Sequence, residues 1–355
     1  MGRRSRTFPH DAGSCRRGGT GRLGDAGAGR AVTDTTGEIA VADIGGTHAR
    51  FARARVDAEG RASLGEPVVL RTGDYPDLPS AWRAFLEREP GFTPNGAAFA
   101  LAGPVGEGPF KLTNADWRFD PDALPSELGV AHVTLLNDFA AIAHAVAGLG
   151  AGELAHLAGP EEPLPEQGTV TVIGPGTGLG IAHFRMHEGR ALVQATEGSH
   201  IDFAPVCPLD DAILAALRER HERVSVERVI SGEGIVHIQA AIAAREGRSP
   251  ALTESLDIWT AGMAGEDDLA AQAVAHFIAT LGRIAGDYAL AHGASAVVIA
   301  GGLGQRLQQH LSAPAFHEAF IAKGRYIKLM KAIPLSLVTH PQPGLLGAAL
   351  AHRVG

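Results

Sequence analysis

The chain has 355 residues, 45% of them hydrophobic and 20% charged, with a formal net charge of −8. That length accommodates about two domains with buried cores, and the composition excludes wholesale disorder. The acidic balance argues against nucleic acid or an anionic membrane as the main partner, and Cys15 and Cys207 are too few and too far apart for a disulfide framework or a Cys-x-x-Cys knuckle.

Residues 1–37 stand apart. In the first thirty, Arg3, Arg4, Arg6, Arg16, Arg17, Arg22 and Arg30 stand against only Asp11 and Asp25, among dense glycine and without apolar periodicity. Such a segment buries too little surface to offset its ordering entropy, so a disordered extension is expected; a partner-binding arm and a targeting peptide are the alternatives. A secretory signal would need an apolar h-region that is missing. Gly19-x-Gly21-x-x-Gly24 matches a dinucleotide fingerprint, but no strand precedes it and no helix follows, so it carries no weight.

Order is expected from Glu38. The apolar run Ile39–Ala42 leads into Asp43-Ile44-Gly45-Gly46-Thr47, and Ala49–Val56 follows at once as a second strand. Strand, glycine turn, strand is a hairpin rather than a Rossmann or P-loop turn, and no GxxxxGK[ST] occurs anywhere. Ala97–Ala102 and Val133–Leu136 are further strands, the second breaking at Asn137-Asp138 before a helix over Phe139–Leu149. The Pro- and Gly-rich stretch 158–168 is a candidate domain boundary.

Thr169–Ile173 is a strong strand that ends in Gly174-Pro175-Gly176-Thr177-Gly178-Leu179-Gly180, and Ile181–Phe184 continues as its partner. Helical spacing covers Leu209–Glu222 and Asp267–Ala291. Ala296–Ala300 is a short buried strand before Gly301-Gly302-Leu303-Gly304 and another helix. No uninterrupted apolar run approaches the roughly 18–20 residues of a membrane span. Glycine turns thus close strands three times, which predicts α/β architecture in two related halves.

A glycine-rich turn exposes backbone N–H groups to a phosphate without Cβ obstruction. Thr47 and Thr177 add hydroxyl donors, and Asp43 offers a carboxylate oxygen suited to Mg²⁺ or its waters. Each turn alone is compatible with a plain structural hairpin; Gly174–Gly180 has more glycine than a hairpin needs. Asp138, before a helix, reads equally as an N-cap. Glu197 and His200, three apart, lack the further ligands of a zinc site. Glu227 could pair with Arg228 on a surface.

Together these pieces resemble the nucleotide site of the sugar kinase, actin and heat-shock ATPase superfamily, and within it the bacterial glucokinase family. Asp43–Thr47 is similar to the first phosphate motif, Gly174–Gly180 to the second, and Ala300–Gly304 to the adenosine motif. Leu136-Asn137-Asp138-Phe139, Glu197 to Pro205, Glu227 to Gly232 and Gly344-Leu345-Leu346-Gly347 appear in family order from about Ile39 onward. His48 stands where the family usually has Asn, Thr196 and Ser199 replace glycines flanking Glu197, and Pro175 lies in the second turn.

The resemblance implies a two-domain actin/hexokinase-like (ribonuclease H-like) α/β fold with an interdomain cleft. Residues 38–148 plus 340–355 would form the small domain and 149–339 the large one. It implies a cytoplasmic, homodimeric glycolytic enzyme that phosphorylates D-glucose at the 6-hydroxyl with ATP and Mg²⁺. Asp138 would be the base, and Asn137, Glu197, His200 and Glu227 would bind sugar. Gly45, Gly46, Thr47, Gly174, Gly176, Thr177, Gly178, Gly180, Gly301 and Gly302 would hold ATP together with Asp43, which also faces the metal. The alternatives are another hexose as substrate, a kinase of the ROK lineage (whose cysteine-rich zinc motif two distant cysteines cannot supply), and a sugar-responsive regulator, which should open with a helix-turn-helix that residues 1–36 lack.

Overall fold

Two six-stranded sheets that share a five-stranded topology carry the described chain. The computed structural model describes residues 38–352 except 104, 107 and 113–115, so the Arg-rich extension lies outside the described residues. The first sheet contains β1 (Glu38–Ile44), β2 (His48–Val56), β3 (Ala62–Leu64), β4 (Val68–Arg71) and β5 (Gly96–Leu101). Beside it β6 (Phe110–Lys111) and β7 (Arg118–Phe119) form a small hairpin, and β8 (His132–Asn137) completes the first sheet. The second is built from β9 (Leu154–Ala158), β10 (Gly168–Pro175), β11 (Leu179–His187), β12 (Arg190–Thr196), β13 (Ala294–Ile299) and β14 (Leu335–Val338).

The strand orders are β3-β2-β1-β5-β8, with β4 also on β2, and β12-β11-β10-β13-β14-β9. In each, three strands run antiparallel through a glycine turn and two more join parallel to the first. The two related halves expected from the repeated turns are therefore present as a duplicated sheet. β5 is buried along its whole length and β1 at five of seven positions, as parallel strands covered on both faces require.

The helices are α1 (Leu78–Glu87), α2 (Leu124–Leu128), α3 (Asp138–Gly148), α4 (Pro208–Arg218), α5 (Gly234–Glu246), α6 (Ser255–Ala264), α7 (Asp268–His292), α8 (Gly301–Arg306), α9 (Gln308–Leu311), α10 (Pro314–Ile321), α11 (Ile327–Met330) and α12 (Pro343–Ala351). Local chemistry sets several starts. Asp77 and Ser80 form a capping box at α1, and the Asp267 carboxylate accepts the Ala270 N–H at α7. α7 is long and apolar enough to cross a membrane, yet 67% of its apolar window is buried in the fold, as in a core helix.

α3 matters most for the site because it lies between the sheets. Its Ala140 and Ala141 pack with Val41, Ala98 and Leu345, while Ala143 and Val146 pack with Val172, Ala182 and Val298. α12 presses against α3 so closely that a Cβ on Gly347 would meet Ala141 O at 1.6 Å.

Two expectations change. Stretch 158–168 joins β9 to β10, two strands of one sheet, so it is not where the chain leaves the first sheet for the second. The helix expected over Leu209–Glu222 ends at Arg218, because no apolar residue follows Leu217 until Val224 and the amphipathic face runs out.

Candidate active site

Asp43, Asn137, Asp138 and the glycine turns lie at the ends of strands paired in parallel, whereas Glu197 and His200 follow the antiparallel β12 and Glu227 lies between α4 and α5. Asp43 is the penultimate residue of β1, opposite Arg50 in the hairpin register, with the Arg50 guanidinium 3.9 Å from its carboxylate. Burial raises the Asp43 pKa, and Arg50 offsets this only in part. The Gly45-Gly46-Thr47 turn is braced from its own sheet: Thr72, itself buried, donates its hydroxyl to Gly45 O at 3.1 Å and its N–H to Thr47 O at 3.0 Å. Thr47 and Thr177 are exposed at the two turn tips, free to face a ligand.

Asn137, rather than Asp138, is the cap of α3. Its Oδ1 accepts the N–H groups of Phe139 (2.9 Å) and Ala140 (3.1 Å), and its Nδ2 donates to Gly103 O at 3.1 Å. Asp138 becomes the first helical residue, with Oδ1 accepting the Phe139 N–H at 2.8 Å. Burial pushes its pKa up to about 6 against that hydrogen bond, and the neighbouring charges of Asp43 and Glu197 push in the same direction. Three carboxylates from separate segments therefore feel one another around the start of α3.

The second glycine turn is clasped by its surroundings. Gly174 and Gly180 are strand residues in register, and both lie under the ring of Phe139, the residue after Asp138. Their lack of a side chain is a packing requirement. That leaves the tip, exposed Thr177 between the half-buried Gly176 and Gly178, as the part of the turn open to phosphate. Gly174 also abuts Ala300 O, and Gly301, at φ +83°, sits against Pro175 O, so the second phosphate turn and the adenosine turn touch. A cavity of about 230 Å³ then joins Asp43 and Arg50 to Gly301, Gly302, Gln305 and Gly344. A larger hollow of about 630 Å³, lined by residues such as Leu154, Leu164 and Phe184, contains none of the motif residues.

The sugar-type residues are less enclosed. Glu197 and His200 stand 3.8 Å apart and each is 55% exposed. Their loop is anchored beneath: Tyr288 Oη donates to Gly198 O at 2.5 Å, Gly198 N–H donates to Thr196 Oγ1 at 3.2 Å, and Thr196 Oγ1 donates to Ile181 O at 3.0 Å. Thr196 thus makes contacts a glycine could not. Glu227, in the turn Val226–Arg228, accepts the Leu179 N–H at 2.9 Å through Oε2 instead of pairing with Arg228.

Relatives decide the family. The family profile described as Glucokinase matches residues 40–354. The glucokinase of Zymomonas mobilis is 48% identical over 315 residues, 89% of this chain and 97% of its own length. The chain belongs to the glucokinase family. The glucokinase of Caulobacter vibrioides is 38% identical, over 88% of this chain and 94% of that one. A crystal structure of glucokinase from an Antarctic psychrotroph superposes with a TM-score of 0.79 at 34% identity, covering 90% of this chain and 99% of that one. The α/β, actin-like architecture and the non-ROK lineage expected from the motifs hold.

A cluster of metal-ligand type residues lies outside the site. Cys207, Asp210 and His276 come within metal-ligand distance of one another. The buried Asp210 carboxylate is already taken by His276 Nε2 (2.9 Å), Arg283 (3.1 Å) and the Val206 N–H (3.0 Å), and the guanidinium repels a second cation. It is an ion-pair network tying α4 to α7. Arg50, Gln305, Gln342 and Tyr288 were not singled out from sequence; of these only Arg50 had a signal, its hairpin register opposite Asp43.

Proposed function

We propose that the chain transfers the γ-phosphoryl group of ATP to the 6-hydroxyl of D-glucose, giving glucose 6-phosphate and ADP, with Asp138 as general base. The observation that carries this reading is Asp138 itself: a carboxylate with its pKa near 6, at the start of a helix shared by both sheets, beside the Asp43 phosphate turn and the Glu197 loop. Phosphoryl transfer asks the protein for placement, charge neutralisation and a proton acceptor.

A carboxylate with a pKa near 6 is ionised at neutral pH yet basic enough to take the hydroxyl proton as that oxygen attacks phosphorus. The α3 N-terminus and the Phe139 N–H keep it fixed. Asn137 spends Oδ1 on the helix cap and one N–H on Gly103, and its second Nδ2 hydrogen remains for a sugar oxygen. Glu197, His200 and the free oxygen of Glu227 supply directional partners for further hydroxyls. A sugar that misplaces a hydroxyl leaves one of them unpaired, which is costly in a closed site.

The N–H groups of Gly46, Thr47, Thr177 and Gly178, with the two threonine hydroxyls, would cradle the β- and γ-phosphates, while the Gly45 and Gly176 N–H groups hold the turns closed on His48 O and Gly178 O. Gly301 and Gly302 face the nucleoside end of the cavity. The Mg²⁺ assignment fits Asp43: its carboxylate is half-buried, lines the cavity and has the Arg50 guanidinium 3.9 Å away as counter-charge. Bound there with ATP, the ion would neutralise charge on the phosphates.

The reading is tested by coupled measurement of ADP release against glucose, mannose, fructose and N-acetylglucosamine. Glucose-dependent release that exceeds the other sugars is expected. Another sugar as the best substrate would reassign the hexose, and binding without release would make the chain a sugar-responsive regulator. The cytoplasmic homodimer belongs to the same proposal, and light scattering on the eluting protein tests the assembly.

A further inference from the structure

Glu227 touches the phosphate turn, although its motif marks it as a sugar ligand. Leu179 N–H donates to Glu227 Oε2 at 2.9 Å, and five residues on, Gly232 N–H donates to Gly176 O at 2.7 Å. The turn between those two points closes on itself through Gly176 N–H to Gly178 O at 2.8 Å. Segment 227–232 therefore clasps the phosphate turn at both ends. Gly178 is what admits the carboxylate: a Cβ there would lie 2.4 Å from Glu227 Oε2.

The same segment is fastened on its other sides. Val226 N–H donates to Ile201 O at 2.9 Å, and Ser225 bridges Asp202, so the Glu227 turn is continuous with the Glu197–His200 loop. The Trp259 indole N–H holds Gly232 O at 2.9 Å from α6. Glu227 sits where sugar loop and phosphate turn meet, with one carboxylate oxygen committed to Leu179 and the other available to a hydroxyl.

We propose that Glu227 is a positioning residue that couples sugar binding to phosphate binding by holding the Gly176–Leu179 turn through the Leu179 N–H. This rests on the glucokinase reading above. A sugar hydroxyl on Oε1 restricts the carboxylate to the rotamer that also receives Leu179, so the turn is already ordered when the nucleotide arrives. The ordering cost is then met once for two ligands, which is positive cooperativity. Linkage makes it reciprocal: nucleotide on the turn tightens sugar by the same factor.

The test is titration of Mg²⁺-ADP into the wild type, Glu227→Ala and Glu227→Gln, each with and without saturating glucose, with circular dichroism to establish folding. In the wild type glucose should tighten ADP by about fivefold or more. Glu227→Ala should weaken ADP without any sugar present and abolish the glucose effect. Glu227→Gln, whose amide oxygen still accepts the Leu179 N–H, should restore sugar-free ADP affinity. A residue that only contacts sugar would leave sugar-free ADP affinity untouched in Glu227→Ala, and that result overturns the proposal. Should the alanine variant not fold, amide exchange decides: glucose alone should slow exchange at Leu179 in the wild type, and unchanged exchange overturns the coupling. Failure of the wild type to bind or phosphorylate glucose would instead overturn the functional reading on which it rests.

Discussion

The ring of Phe139 rests on the bare backbone of Gly180, where a Cβ would lie 1.7 Å from Phe139 Cδ2. Phe139 follows Asp138 in α3, and Gly180 is the second residue of β11, just beyond the second glycine turn. The base and the phosphate turn are thereby set relative to each other by one aromatic contact between the two sheets. Gly180→Ala should destabilise the fold by about 1–3 kcal/mol by overpacking, and lower kcat by displacing Asp138. Combining it with Phe139→Leu should recover part of the melting temperature. A stable, fully active Gly180→Ala protein would mean the ring is not a fixed spacer.

Asp138→Asn should separate binding from chemistry. The amide keeps the size of the side chain but cannot accept the proton, so kcat should fall by about 10²–10⁴ while glucose still binds. Rapid-quench turnover and glucose titration measure the two effects. Near-normal turnover would leave Asp138 as a structural helix-start residue.

The acid limb of kcat/KM should follow Asp138 and inflect near pH 6, activity rising as the carboxylate ionises. Glu197 is one of the charges that raise this pKa, so Glu197→Gln should move the inflection to lower pH. Stability carries the opposite sign. The folded state holds the Asp138 proton better than the unfolded chain, so this contribution declines as pH rises from about 4 to about 6. Asp138→Asn should therefore gain stability relative to the wild type across that window. Denaturant unfolding at pH 4.5 and 7.5 checks it, and a difference that does not change with pH would contradict the shift.

Asp43→Asn should raise the Mg²⁺ concentration needed for half-maximal activity, as well as lowering kcat, because the carboxylate lining the cavity is lost. Activity titrated with MgCl₂ at fixed ATP reads this. An unchanged Mg²⁺ requirement would remove Asp43 from the metal assignment.

Residues 38–148 plus 340–355 and residues 149–339 are proposed as two lobes that approach around the ligands. Glucose alone should reduce the radius of gyration in solution scattering, since a sugar that touches both lobes gains most of its contacts only in the closed form. Glutamine at positions 197 and 227 should weaken that response together with sugar affinity. An unchanged profile at saturating glucose would show that closure does not accompany sugar binding.

Local sequence by itself determined the central strands β1, β2, β5, β8, β10, β11 and β13, the two glycine hairpins and the order of the site motifs, but not the short and edge strands such as β3, β4, β9, β12 and β14. Alternating and continuous apolar runs, glycine at tight turns and carboxylates at helix starts are readable within a few residues, because backbone sterics and capping act over that range. It also contained the duplication, as repeated glycine turns. What lay beyond it was contact between distant segments. That Asn137 is the cap and Asp138 is displaced into the helix depends on how Gly103 O approaches from another loop. That Gly174 and Gly180 are bare for Phe139 and not for phosphate, and that Glu227 turns from Arg228 to Leu179 N–H, follow from two sheets packing on one helix. The pKa of Asp138 belongs to the same class: desolvation and the charges of Asp43 and Glu197 act through space, and only the tertiary structure brings residues 43, 138 and 197 close enough to interact.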